Sequence, residues 1–499
     1  MFVTTADEAR RISDTGRHTQ VPFIIRHWSC VLALASADLL AFALADVAFR
    51  IWHPEPSVFI GLNGAISAHA KPVDVFSVLA VLFICIRAIA GDYSRREPFW
   101  DGLRACVSAL FMASLPDFAA IALKTGHYSV WGAIDSWVFL LFAIPAMRQG
   151  ARMLLSTAGL WQRRTALVGH GACAEGAYAA MSASTSLGFD IQWIVSIGAD
   201  VELPARLSKL KQIVTANASE AGLLVQAAGC DQAILALSDA EQNAYPDLVQ
   251  RLSEANVGTA IVPALARLPL GNLTTNVLFG RNILLFQVRD NLRRWPQRMF
   301  KRVFDFFGAL FGLIVLSPLF LVIAFLVKRQ DGGPISYSQI RIGREGVPFR
   351  CIKFRTMARD ADKLLASWRE KNPDLYEEYL KTYKLRDDPR VTGLGKWLRR
   401  TSLDELPQLI NILRGEMSFV GPRPVVEREL IDYYGPSAQL YMRVRPGLTG
   451  LWQVSGRSNT GYAERIAFDE WYILNWSVWY DLIILAQTFS AMISGHGAF

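Results

Sequence analysis

Four apolar runs open the chain, at residues 25–50, 73–90, 104–123 and 131–147. Each is near the ~20 residues that a helix needs to cross a bilayer. Basic residues gather on alternate connections: Arg10, Arg11, Arg17 and Arg26 before the first run, Arg95, Arg96 and Arg104 after the second, and Arg148, Arg152, Arg163 and Arg164 after the fourth. The first connection carries only Arg50 and Lys71, and the third only Lys124. Because cytoplasmic loops retain Lys and Arg, the pattern predicts a four-helix transmembrane domain over 1–150, with the N-terminus and everything after 148 at the cytoplasmic face. Asp38, Asp46 and Asp117 fall in or near these runs, where acids either mark ion or substrate paths or pair between helices. The first twenty residues lack the compact apolar core of a signal peptide and are expected to stay on the chain.

From Arg164 the pattern changes to short apolar strands alternating with helices. Residues 165–168, 231–237 and 259–263 read as buried strands of a Rossmann-like α/β cytoplasmic domain over 160–287. Gly169-His170-Gly171-Ala172-Cys173-Ala174 matches a variant of the dinucleotide fingerprint. No acidic residue clearly ends the second strand, so an unliganded scaffold is the favoured reading over a cofactor domain. Residues 288–302 are dense in Arg, with Trp295, Met299 and Phe300 interleaved, as in a helix lying on anionic lipid. The next run, 303–327, is long enough to span but has Ser317-Pro318 at its middle and cations on both flanks, Lys301-Arg302 and Lys328-Arg329. A proline there breaks the helix, and the matching flanks predict a re-entrant membrane helix over 303–328. The alternative is a kinked fifth span.

The remaining chain, 288–499 with the re-entrant segment included, reads as a mostly helical catalytic domain. Its chemistry concentrates between residues 399 and 424. Arg399 and Arg400 precede the adjacent carboxylates Asp404 and Glu405, and Pro422-Arg423-Pro424 follows. Between Asn291 and Gly495 there is no histidine and one cysteine, Cys351, so an acid, base or nucleophile in this region is expected to be a carboxylate. Leu406, Leu409, Ile410 and Leu413 repeat at helical spacing and predict a helix beginning near Ser402 or Asp404, with Pro407 in its first turn. A helix N-terminus favours an ionised Asp and an incoming phosphate. Ser402-x-x-Glu405 is equally a capping box, in which Asp404 would be only a cap. Farther on, Trp471, Tyr472, Trp476, Trp479 and Tyr480 fit an interfacial aromatic belt better than a core, although half of them could pack inside.

Composition narrows the class. Hydrophobic residues make up 52% of 499 and are clustered, as in a membrane protein, and the net charge of +8 suits anionic lipids or phosphorylated substrates. No interleaved basic and aromatic motif points to nucleic acid. Six dispersed cysteines indicate neither a zinc site nor a disulfide framework.

Lys353-Phe354-Arg355-Thr356-Met357, Thr401 to Leu409, Val420-Gly421-Pro422-Arg423-Pro424 and Arg445-Pro446-Gly447-Leu448-Thr449-Gly450 closely resemble the bacterial sugar transferases, in particular the large monotopic phosphoglycosyl transferases. Several stretches outside the catalytic region are most similar to galactose-transferring members. The resemblance implies transfer of a hexose 1-phosphate from a UDP-sugar to undecaprenyl phosphate at the bacterial inner membrane, with release of UMP, as the first step of exopolysaccharide repeat-unit assembly. Galactose is the favoured sugar and glucose the alternative. It further implies Mg²⁺ and a covalent aspartyl-phosphosugar. By motif, Asp404 is the nucleophile, Glu405 shares the metal or manages a proton, Arg399 and Arg423 hold phosphates, and Lys353, Arg355 and Arg445 are weaker substrate-binding candidates. Membrane lipids are the other implied partners, with a homodimer left open. Two rivals remain, a membrane-anchored nucleotide-sugar dehydratase or epimerase and a non-catalytic assembly scaffold. The middle domain lacks the Tyr-x-x-x-Lys pair that the first of these needs.

Overall fold

A computed structural model describes residues 23–52, 75–123, 130–198, 203–263, 271–277, 284–359 and 388–494, apart from positions 216, 246, 256, 272, 289, 389 and 456–460. The chain forms two compact units, Met1–Ala266 and Arg267–Phe499.

In the first unit, α1 (Phe23–Trp52), α2 (Val75–Ile89), α3 (Phe99–Ala122) and α4 (Val130–Thr157) pack into a bundle. Ala41, Phe42, Phe83, Ala109, Trp137 and Leu140 form its shared interior, while Leu32, Phe111, Phe142 and Leu154 remain exposed. Four apolar helices were expected to span. Among the described residues two, in α1 and α4, are long and apolar enough to do so. The apolar part of α2 is short, and α3 carries Asp101, Arg104 and Asp117. The buried Asp38 receives two hydrogen bonds from Arg148, at 2.7 and 2.5 Å, and one from Tyr93 Oη at 2.7 Å. Asp117 accepts from Trp137 Nε1 at 2.8 Å. Both acids therefore have the partners that burial demands.

The bundle is followed by a parallel sheet in the order β3-β2-β1-β4-β5, built from Lys211–Thr215, Phe189–Ile197, Arg163–Val168, Gln232–Leu235 and Gly258–Ile261. Helices such as α5 (Gly171–Ala183), α6 (Ala221–Ala227) and α7 (Leu248–Glu254) cover it. Ala166 and Val168 face one core cluster and Leu167 the other, so both faces are buried and β1 reads as an unbroken apolar run. Gly169 has φ of 131°, and a Cβ there would stand 2.4 Å from Ala236 O. The fingerprint glycine thus serves a close approach between the ends of β1 and β4.

The second unit begins with the hairpin β6 (Leu273–Val277) and β7 (Leu284–Val288). Gly271 N–H donates to Asn475 Oδ1 at 2.7 Å, and Asn291 Nδ2 to Trp476 O at 3.1 Å. These bonds tie the hairpin region to the C-terminal helices. Helices α8 (Trp295–Val315) and α9 (Ser317–Asp331) follow, bent by 63° at the predicted break. Ala309 of α8 packs with Leu409, Ile412 and Met417, and Ile323 and Val327 of α9 pack with Phe354 and Leu398. Both limbs rest on the same body, and between them Phe307, Phe311, Ile314, Leu321 and Phe325 are exposed.

That body contains the antiparallel hairpin β8 (Ser336–Ile342) and β9 (Pro348–Phe354), helices α10 (Gly393–Arg400) and α11 (Gln408–Arg414), the parallel pair β10 (Ser418–Val420) and β11 (Gly447–Thr449), and helices α12 (Tyr462–Asn475) and α13 (Val478–Ser494). Residues 360–384, whose charged sequence reads as helical, and Arg457 beyond the Arg445–Trp452 loop lie outside the described residues. The aromatic belt is corrected in part. Tyr472 and Trp476 are 2% and 1% exposed, because Tyr472 Oη bonds Val420 O and Asp481 and Trp476 Nε1 bonds Asp481. Polar partners inside the core satisfy them where an interface would otherwise have to.

Gly447 sits where the two strands of the parallel pair approach most closely, since a Cβ would fall 2.1 Å from Gly421 N. Gly447→Ala is expected to destabilise the unit by about 1–3 kcal/mol through overpacking. Gly461→Ala, with nothing within 4 Å, should leave the melting midpoint in detergent unchanged.

Candidate active site

Strand β9 and helix α11 are joined by one buried amide. Asn411, wholly excluded from solvent, accepts from Ile352 N–H at 3.1 Å and donates to Arg350 O at 2.8 Å and Glu416 Oε2 at 2.6 Å. The other end of α11 is held by cations. Arg302 donates to Ile412 O and Leu413 O, both at 2.7 Å, and Arg445 Nε donates to Gly415 O at 2.6 Å. Guanidinium groups at a C-terminus satisfy free carbonyls and complement the helix dipole.

The N-terminal side of α11 carries the two carboxylates. The helix begins after Pro407, not at Ser402 or Asp404: residues Leu403–Glu405 form a separate 3₁₀ turn. Ser402 adopts a left-handed conformation, φ 57°, and makes no side-chain cap. The capping box is not formed, because Glu405 turns to Lys353 Nζ at 2.6 Å instead. A non-glycine residue in this region is strained, and such residues cluster at functional sites. Here it reverses the chain between α10 and the carboxylate turn. Leu403 and Leu406, on either side of Asp404, pack against the cluster that Ile323 and Val327 of α9 build.

Asp404 is 9% exposed. Burial pushes its carboxyl up to about 6; Glu405 pushes the same way, while Lys353 and Arg399 oppose. Desolvation thus outweighs the neighbouring cations. The result is a poised carboxylate, anionic above neutrality and close to its proton.

Of the other predicted residues, Lys353 and Glu405 are brought to Asp404. Arg399 is exposed and donates from Nε to Thr356 Oγ1 at 3.0 Å, the first residues beyond β9. Arg355 pairs with Asp331 at the end of α9. Arg445 is not brought to the carboxylates, as it caps the opposite end of α11. Arg423 lies in the loop after β10, its Cζ 5.9 Å from the Trp452 ring centroid. Tyr441 Oη accepts from Val425 N–H and fixes this loop against Ile342 and Arg423 carbonyls.

Arg341 and Asn411 were not assigned a role from sequence. Arg341 donates to Pro424 O at 3.2 Å, and it, Lys353, Glu405 and Arg423 all act electrostatically on the buried Cys351 thiol. The charged groups thus share one neighbourhood. Register explains part of it: Gln339 faces Cys351 and Tyr337 faces Lys353 across the hairpin, so Arg341 lies on the same face by strand alternation. That alternation was the available signal. Among the described residues no three or more His, Cys, Asp or Glu side chains cluster as a metal cage. Two adjacent carboxylates fit a magnesium ion that shares its shell with substrate phosphates and water, the usual arrangement for that ion.

Residues 296–495 match the family model described as bacterial sugar transferase. Undecaprenyl-phosphate galactose phosphotransferase of Salmonella typhimurium is 32% identical over 483 residues, covering 94% of this chain and 98% of the relative. UDP-galactose-lipid carrier transferase of Erwinia amylovora is 32% identical over 486 residues, 96% of this chain and all of the relative. Exopolysaccharide production protein ExoY of Sinorhizobium fredii is 54% identical over 199 residues, 40% of this chain and 88% of the relative.

The raised Asp404 carboxyl has a consequence for stability. The folded state holds this proton more tightly than the unfolded chain, so its contribution is present below about pH 4 and is lost as pH rises through about 6. Asp404→Asn, neutral at every pH, is expected to be more stable than wild type at pH 8 by on the order of 2–3 kcal/mol. The difference should vanish near pH 4, as read from chemical denaturation at both values.

Proposed function

The chain belongs to the bacterial sugar transferase family, and from that premise we propose that it transfers galactose 1-phosphate from UDP-galactose to undecaprenyl phosphate, beginning a surface-polysaccharide repeat unit. One observation carries the reading: the turn bearing Asp404 packs through Leu403 and Leu406 against the cluster that Ile323 and Val327 of the apolar limb α9 form with Phe354 and Leu398. A carboxylate so mounted works at the depth of a lipid phosphate, and a soluble donor reaches it from the aqueous side. Both limbs of the bent pair rest on one body, which supports a re-entrant rather than a crossing segment. With the basic connections of the bundle, this supports a multi-pass protein whose catalytic unit faces the cytoplasm.

The chemistry divides into two displacements. An Asp404 carboxylate oxygen attacks the phosphorus that bears the sugar, and the bond to the UMP oxygen breaks. UMP leaves with the electron pair, and the sugar phosphate remains as an acyl phosphate on Asp404. A phosphate oxygen of the lipid then attacks the same phosphorus, the carboxylate leaves, and a lipid diphosphosugar is formed. Lys353 keeps Glu405 beside the nucleophile, and Arg423 and Arg341 supply the charge that lets an anion approach a diphosphate. Magnesium, held by Asp404 and Glu405, would neutralise the diphosphate oxygens when bound.

Purified protein given radiolabelled UDP-galactose or UDP-glucose without lipid is expected to release UMP and retain label from the galactose donor. Asp404→Asn should retain none and lose roughly 10³-fold or more in turnover. Labelled lipid product with no protein-bound species would reject the covalent route. The rate under limiting donor should fall as pH drops through about 6, the pH at which Asp404 takes up its proton. Because Lys353 is the strongest group holding that value down, Lys353→Gln is expected to move the acid limb to higher pH, which a pH–rate profile would read.

A further inference from the structure

The end of β9 serves two cations near the carboxylate turn, one as its own side chain and one through a hydroxyl. Lys353 pairs with Glu405 at 2.6 Å. Three residues on, Thr356 is 7% exposed, and its Oγ1 accepts a hydrogen bond from Arg399 Nε at 3.0 Å. Neither displacement of the transfer uses this threonine.

Thr356 meets α10 at its first turn and again at its last. Its carbonyl accepts from Thr392 N–H at 3.1 Å and from Thr392 Oγ1 at 3.3 Å, and Thr392 caps the helix by accepting from Gly395 N–H at 3.0 Å. A Cβ on Gly395 would stand 2.0 Å from Thr356 O, so the helix backbone lies directly on this residue. Gly395 and Arg399 are four positions apart and share one helical face. The contact that seats the start of α10 therefore also sets a hydroxyl against the guanidinium of its last turn.

That bond occupies only Nε of a group with five N–H donors in a rigid fork. Among the described residues Arg399 has no carboxylate partner. Asp388, on which its charge acts, is already paired with Arg390 through Oδ1 at 2.9 Å and Oδ2 at 2.6 Å. Leu398, beside Arg399 in the chain, packs in one cluster with Leu403 and Leu406 on either side of Asp404. An exposed arginine loses much rotamer freedom when it binds a ligand, and a hydroxyl that already holds Nε removes part of that cost beforehand.

We propose that Thr356 is a positioning residue for the transfer: its hydroxyl holds the Arg399 guanidinium by Nε, so that both terminal nitrogens stay open to the diphosphate of the sugar nucleotide. The assignment rests on the transferase reading, and Thr356 acts through Arg399.

The test measures initial rates of transfer to undecaprenyl phosphate by full-length protein in detergent, with UDP-galactose varied, or UDP-glucose if wild type uses that donor instead. Thr356→Val keeps the side-chain shape and removes the acceptor. It is expected to lower kcat/KM for the donor about 10-fold, mainly through a higher KM. Thr356→Ser keeps the hydroxyl and should recover kcat/KM to within about threefold of wild type. On an Arg399→Gln background Thr356→Val should lower kcat/KM no further, since the group it positions is gone. Thr356→Ala serves if the melting midpoint shows that Thr356→Val does not fold. Wild-type kcat/KM in Thr356→Val, an equal loss in Thr356→Ser, or an undiminished loss on the Arg399→Gln background overturns the assignment and leaves the transferase reading standing. No transfer by wild type from either donor overturns both.

Discussion

Asn411 is one amide in a chain of 499 residues, but its three hydrogen bonds decide where the candidate site exists. A buried amide that lost its partners would forfeit the desolvation of every donor and acceptor it carries. Satisfied, it fixes α11 in one position along β9. With that register set and the far end of α11 closed by Arg302 and Arg445, the turn before the helix can occupy only one place. Glu405 then meets Lys353, and Asp404 is enclosed beside them. The geometry of the candidate site thus rests on a buried amide bridging β9 and α11.

The same packing sets the electrostatics. Leu403 and Leu406 pack the turn against the cluster that α9 shares with Phe354 and Leu398, and burial there withholds water from Asp404. The carboxyl rises although cations stand nearby, since solvation removed by burial exceeds what Lys353 and Arg399 return.

Asp38 and Arg148 follow a parallel logic in the first unit, where a buried acid is tolerated because Arg148 and Tyr93 occupy its oxygens.

Much of this was legible along the chain. The apolar runs, the break at Ser317-Pro318, the alternation of strand and helix after Arg164 and the Asp404-Glu405 motif are local patterns, and local patterns survive in a linear string. Helix onset at Asp404 was not, because Ser402 is left-handed for tertiary reasons while its spacing to Glu405 imitates a cap. The fates of Arg445, Tyr472 and Trp476 depended on which carbonyl or carboxylate stood opposite, which sequence spacing does not encode. Composition and periodicity by themselves determined a membrane-attached protein with a Rossmann-like unit and an acidic candidate nucleophile. Only the tertiary structure decided that this acid is buried and held near its proton, for solvation depends on what surrounds a group in space and not on its neighbours in the chain.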